Sequence, residues 1–119
     1  MSLILVVEDE PQLQLVIEKM LKHGGHDVVL AGSGKQARQL CNEKPFDLVI
    51  TDLAMPDMDG LELIRSLCHR DLPIIAISGD FSQSLKTATL LGAIATLKKP
   101  FTTAELLAMV SKNIKEQTA

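Results

Sequence analysis

The chain has 119 residues, 46% of them hydrophobic, with 12 Lys plus Arg against 15 Asp plus Glu. This length suits one domain with one core, which needs neither disulfides nor a structural metal in order to fold. Three Phe, no Tyr or Trp and a net charge of −3 exclude an aromatic platform for single strands and a generally basic nucleic-acid footprint.

The first apolar run, Leu3–Val7, reads as a buried strand that leads directly into Glu8-Asp9-Glu10. No basic stretch precedes it and acids follow it at once, so it is not expected to be a signal peptide. Leu13, Val16, Ile17, Met20 and Leu21 then repeat at helical spacing, predicting an amphipathic helix that stops at Gly24-Gly25. Asp27–Ala31 is the second strand. Ser33 with Gln36 three residues on forms a capping-box pattern for a helix over 34–44. The third strand, 48–51, ends at Asp52, and a helix over 60–69 follows, with Asp59 and Glu62 in the same capping relation. A fourth strand, 73–77, is followed by Ser78-Gly79-Asp80 and a helix over 82–91 that ends at Gly92. The fifth strand, 94–97, leads into Lys98-Lys99-Pro100-Phe101. The last helix starts at Thr102, capped through Glu105, and is expected to bury Leu106, Val110 and Ile114.

Five strands alternating with five helices, most strands without polar alternation, indicate an α/β fold with a parallel sheet covered on both faces. A single domain over 1–119 is expected: a doubly wound, flavodoxin-like (βα)5 sheet of order 2-1-3-4-5. In such sheets ligands bind outside the carboxyl ends of the strands, where the order reverses. That point lies between the first and third strands, the two that end in Glu8-Asp9 and Asp52.

The charge is therefore local. Glu8, Asp9, Glu10, Asp52, Asp57 and Asp59 carry −6 in two loops, and the remaining chain carries +3. Carboxylates about 4 Å apart repel by about 4 kcal/mol at an effective dielectric of 20. Such a group needs protons, a basic partner or a bound cation. All-oxygen ligands with no His or Cys beside them suit Mg²⁺. Helix capping would account for Asp9 and Glu10 but not for Asp52 at a strand end. Ser78 and Lys99 end neighbouring strands, so a hydroxyl, an ammonium, a divalent-cation site and an acid would share one edge. That combination describes a phosphoryl-binding pocket with a carboxylate as acceptor.

On these residues the chain resembles the receiver domains of two-component response regulators over its whole length. Val6-Val7-Glu8-Asp9-Glu10, Asp52-Leu53-Ala54-Met55-Pro56-Asp57-Met58-Asp59-Gly60, Ser78-Gly79 and Lys99-Pro100-Phe101 carry the resemblance. It implies that Asp52 accepts a phosphoryl group from a sensor histidine kinase or a histidine phosphotransfer protein. Asp9 and Asp52 would ligate Mg²⁺ directly, Ala54 through its backbone carbonyl and Glu8 through water. Ser78 and Lys99 would contact phosphoryl oxygens, and the Lys99-Pro100 bond would be cis. The domain would not be an enzyme in the turnover sense, although it would phosphorylate and dephosphorylate itself at Asp52. Its signal would pass to a downstream protein or output domain.

One position departs from the family. Thr96 stands where receivers commonly place Tyr or Phe as a rotameric switch, so that switch is not expected here. The output signal would then rely more on the loop after the fourth strand, where Phe81 is the only nearby aromatic, although ordinary packing is its simpler role. A small side chain at Ala54 admits an attacking water, while Asp80 either orients or obstructs it.

Other readings fit less well. A haloacid-dehalogenase-type phosphatase usually wants a second Asp where Ala54 stands, and it wants a longer chain for its cap. Gly32-Ser33-Gly34-Lys35 fails as a P-loop, because Val29 and Gln36 occupy the required Gly and Ser/Thr positions. A degenerate receiver used only for protein contacts would not need the complete acid, Ser and Lys set. Cys41 and Cys68 lack metal spacing and are expected to be buried or half-buried thiols, while His23, His26 and His69 are expected at the surface or at helix ends. No apolar run is long enough for a membrane span. A cytoplasmic protein with no direct nucleic-acid contact is the expectation.

Overall fold

A computed structural model describes residues 2–53, 60–67, 72–79 and 82–114, with only the backbone described at 60, 61 and 82–85. Ala54, Asp57, Asp59, Cys68, His69, Asp80 and Phe81, and the expected cap of the third helix, lie outside the described residues.

The elements are β1 (Leu3–Val7), α1 (Pro11–His23), β2 (Asp27–Ala31), α2 (Gly34–Glu43), β3 (Leu48–Asp52), α3 (Gly60–Leu67), β4 (Ile74–Ser78), α4 (Ser82–Leu91), β5 (Ala95–Lys98) and α5 (Thr103–Asn113). All neighbouring strands are parallel, and the sheet order is β2-β1-β3-β4-β5, as expected. Two strands sit one residue later than predicted. Pro73 has no N–H to give, so β4 begins after it, and Pro73 contributes only its carbonyl to the N–H of Val49 at 2.9 Å. This shift makes Ser78 the last residue of its strand rather than the first of the loop. β3 extends to Asp52, and β5 runs over Ala95–Lys98.

Strand alternation divides the core in two. Ile4, Val6, Leu48, Ile50, Ile75, Ile77 and Leu97 face α1 and α5, where Ile17, Leu21, Leu106 and Val110 complete one cluster. Leu5, Val7, Val49, Ile74 and Ala76 belong to the other, with Ala37 of α2, Leu63, Ile64 and Leu67 of α3 and Ala88 of α4. Each fully buried Leu or Ile contributes about 1.5–3 kcal/mol relative to exposure.

Helix ends follow the local chemistry with two corrections. Thr102 and Glu105 form the full reciprocal capping box of α5. At α2 only half of the box forms. Ser33 accepts from the Gln36 N–H at 3.2 Å, but the Gln36 Oε1 accepts from Gly32 at 2.8 Å instead of from Ser33. Ile114 is the second correction: it is the C-cap of α5, outside the helix, and is half-buried against the core. Gly92 ends α4 with φ +129°, a conformation that a side chain would strain. Within α1, Ile17 and Leu21 are buried and Leu13 and Met20 are partly so, but Val16 is 45% exposed. The apolar stripe is wider than the surface that the sheet and α5 cover.

Candidate phosphoryl and metal site

The carboxyl ends of β1, β3, β4 and β5 bring the candidate residues to one edge. The parallel register puts Asp52 beside Ile77 and Ser78 beside Lys98, and the Lys99 N–H donates to the Ser78 carbonyl at 2.8 Å. Glu8, Asp52 and Ser78 are buried, and Asp9 is exposed. The Lys99-Pro100 bond is cis.

The Lys99 Nζ lies 2.9 Å from Asp52 Oδ2 and 3.5 Å from Glu8 Oε1. One ammonium thus answers two buried carboxylates. Burial and then the neighbouring Asp52 charge push the Glu8 carboxyl up from 4.5 to about 7, against the lowering effects of the Glu10 N–H and of Lys99. Burial alone would lower the Lys99 ammonium, but the hydrogen bond and charge of Asp52, helped by Glu8, raise it.

Glu8, Asp9 and Asp52 each offer a carboxylate oxygen, and these atoms all lie within 4.8 Å of one another. Opposed ligands of octahedral Mg²⁺ are about 4.2 Å apart, since each bond is about 2.1 Å. Three acids against one lysine leave an excess of negative charge that a divalent cation would offset. Donor type and charge therefore fit Mg²⁺, and the 4.8 Å limit, wider than the span of two direct ligands, leaves room for one of the acids to act through water. Ala54, the remaining expected ligand, lies outside the described residues.

Among the other expected residues, Thr96 is half-buried on β5 opposite Ala76. His23 is exposed in the last turn of α1. His26 is half-buried, with a buried Nδ1 that meets no hydrogen-bond partner among the described residues. Cys41 is half-buried. Sequence reasoning missed Gln14. Its side chain reaches the carbonyls of Glu8 and Ala31 from inside α1, where a lone Gln reads as surface.

Comparison with known proteins gives the same answer. The family model for the response regulator receiver domain matches residues 4–111. The chain is similar to chemotaxis protein CheY4 of Vibrio cholerae, at 25% identity and a TM-score of 0.90, over 96% of this chain and 99% of that one. It also resembles response regulator protein TrrA of Thermotoga maritima, solved in complex with Mg²⁺ and BeF, at 28% identity and a TM-score of 0.87 over 94% and 98%. A third match is the receiver domain of sensor histidine kinase PA1611 from Pseudomonas aeruginosa PAO1, which has a magnesium ion coordinated in its active site cleft. There the identity is 32% and the TM-score 0.87, over 93% of this chain and 95% of that one.

With nine-tenths of its length inside that family model, the chain belongs to the response regulator receiver domain family. It is a phosphoacceptor signalling domain with Mg²⁺-dependent phosphotransfer, and its self-phosphorylation and self-dephosphorylation are not substrate turnover. Membership implies a phosphodonor protein and a downstream protein as partners. Among the described residues no helix is long and apolar enough to cross a membrane.

Proposed function

We propose that Asp52 is the phosphoacceptor, taking a phosphoryl group from a phosphohistidine on a sensor histidine kinase or a histidine phosphotransfer protein. A carboxylate oxygen of Asp52 forms the new O–P bond as the N–P bond of the donor breaks, and the leaving imidazole takes up a proton. Asp9 and Asp52 would hold Mg²⁺ directly, the Ala54 carbonyl would supply a further ligand, and Glu8 would act through water. The cation supplies charge neutralisation to the transferring oxygens. Ser78 and Lys99 would take two phosphoryl oxygens, with Lys99 turning from the carboxylate it now holds.

The observation that carries this reading is the pairing of buried Asp52 with Lys99 at 2.9 Å, inside the carboxylate cluster. Incubation with a small phosphodonor and Mg²⁺ should add one phosphoryl mass to the intact chain. Absence of the adduct, or its survival in Asp52→Asn, would sink the assignment.

The donor is expected over α1. Leu15 is 51% and Val16 45% exposed there. An open groove of about 420 Å³ runs from Leu13, Val16 and Met20 to Gly79, Lys99, Pro100 and Phe101. Because Lys99 lines both groove and site, a donor seated on the apolar part reaches the acceptor. The output surface would be the face of α4, β5 and α5, where Leu90 is 86% and Ile94 50% exposed. A downstream protein or output domain would read it, with no direct nucleic-acid contact and no membrane insertion. A cytoplasmic location accords with such a donor.

A further inference from the structure

The roles above use the side chains of the acidic loop and leave open what holds its backbone. The Glu8 N–H donates to the Ala31 carbonyl at 3.0 Å, extending the pairing of β1 with β2 by one residue. Gln14, half-buried in α1, then donates its side-chain amide to the Glu8 carbonyl at 3.0 Å and to the Ala31 carbonyl at 3.2 Å. Both receivers are carbonyl oxygens, so the NH₂ end faces them and both of its N–H donors are used. The next residue, Gly32, is held by Gln36 at 2.8 Å. Within the loop, Glu8 Oε2 accepts from the Glu10 N–H at 3.3 Å.

We infer that Gln14 is a positioning residue for the cation site, tying the carboxyl ends of β1 and β2 so that Glu8 and Asp9 project from a fixed backbone. The inference rests on the proposed role of Glu8 and Asp9 toward Mg²⁺. Two observations separate it from ordinary packing. First, α1 is seated by buried Ile17 and Leu21, which do not depend on the Gln14 amide. Second, the carboxylate oxygens of Glu8, Asp9 and Asp52 lie within 4.8 Å of one another, so a backbone free to spread would relieve their repulsion by moving the ligands apart. The Gln14 amide holds the loop against this spreading.

The test uses the whole chain and MgCl₂ in a calorimetric titration. Gln14→Met keeps the length and apolar stem but has no donor, and its Mg²⁺ affinity should fall about ten-fold, the usual scale for groups that orient metal ligands. Amide hydrogen exchange at Glu8 and Glu10 in the metal-free chain should speed up in parallel. If Gln14→Met does not fold, Gln14→Asn, one methylene too short to span both carbonyls, should show the same direction. Wild-type Mg²⁺ affinity in the folded variant overturns the inference. Asp9→Asn separates the two ideas. Loss of Mg²⁺ there beside a wild-type Gln14→Met sinks only the positioning role, whereas wild-type binding in Asp9→Asn sinks the ligand assignment on which it rests.

Discussion

The two faces of the sheet are built differently where they reach the functional edge. By strand alternation Glu8, Asp52 and Lys99 share the parity of the α1 and α5 side, which is packed with large residues such as Ile17, Leu21, Ile50, Ile77 and Leu106. Ser78 and Thr96 fall on the opposite side, where Ala76, Ala88 and Ala93 make a corner of small side chains near α4. Leu90 and Ile94 are left exposed beside that corner. The first side confines charge, since dense packing keeps repelling carboxylates in place beside one lysine. The second side is small only at this corner, since Leu63, Ile64, Leu67 and Ile74 fill the rest of it, and Thr96 stands there in place of the aromatic that receivers commonly have. Glu8, Asp52 and Lys99 thus meet on the large-residue side of the sheet edge, and Ser78 reaches the same edge from the other side.

The sharpest way to break this division is Lys99→Met, which leaves the acids without their ammonium. Phosphorylation by a small donor, followed by intact mass, should slow about 100-fold or more, as for loss of a preorganised charge donor. A smaller change would mean that the cation alone stabilises the transferring oxygens. The packing contrast predicts that Leu21→Ala costs about 3 kcal/mol in denaturant unfolding. Ala88→Leu, in the small-residue corner, should cost about 1–3 kcal/mol through overpacking. If Ala88→Leu is neutral, the corner has spare room, and the contrast between the faces weakens.

Glu8 sharpens the comparison through pH. Its folded pKa of about 7 lies above the ordinary 4.5, so the folded state binds its proton more tightly. That stabilisation is complete below pH 4.5 and is lost as pH rises through 7. Thermal midpoints of the metal-free chain should therefore fall across this window, and Glu8→Gln should flatten the fall. Added Mg²⁺ should raise the midpoint more at pH 8 than at pH 6, because it needs the ionised carboxylates. The smallest effect on stability should come from Leu90→Ser, within about 0.5 kcal/mol. Its expected loss is in binding a downstream protein, measured with the phosphorylated chain.

Much of this was legible because buried parallel strands are short apolar runs and the residues that follow them are chemically unusual. The strand order was read in this way, and the same reading singled out Glu8, Asp9, Asp52, Ser78 and Lys99 as candidate site residues. What was missed shares a physical cause. The one-residue shift of β4 depends on Pro73 lacking an N–H, which matters only once β3 is its neighbour. The exposure of Val16 depends on how much of α1 its neighbours cover. At α2, Gln36 could serve either Ser33 or Gly32, and the bend after β2 decided for Gly32. Gln14 gave no signal, because its partners are backbone carbonyls from two other segments.

The sequence by itself determined the alternation of strands and helices, the two acidic loops and the residues able to carry phosphoryl chemistry. These are written in local apolar periodicity and in side-chain type. Only the tertiary structure decided that Glu8 is buried while Asp9 is exposed, that one ammonium serves Asp52 and Glu8 together, and that an amide from α1 holds the loop. Burial and charge coupling belong to neighbours brought together by the sheet, and a parallel sheet joins residues far apart in the chain.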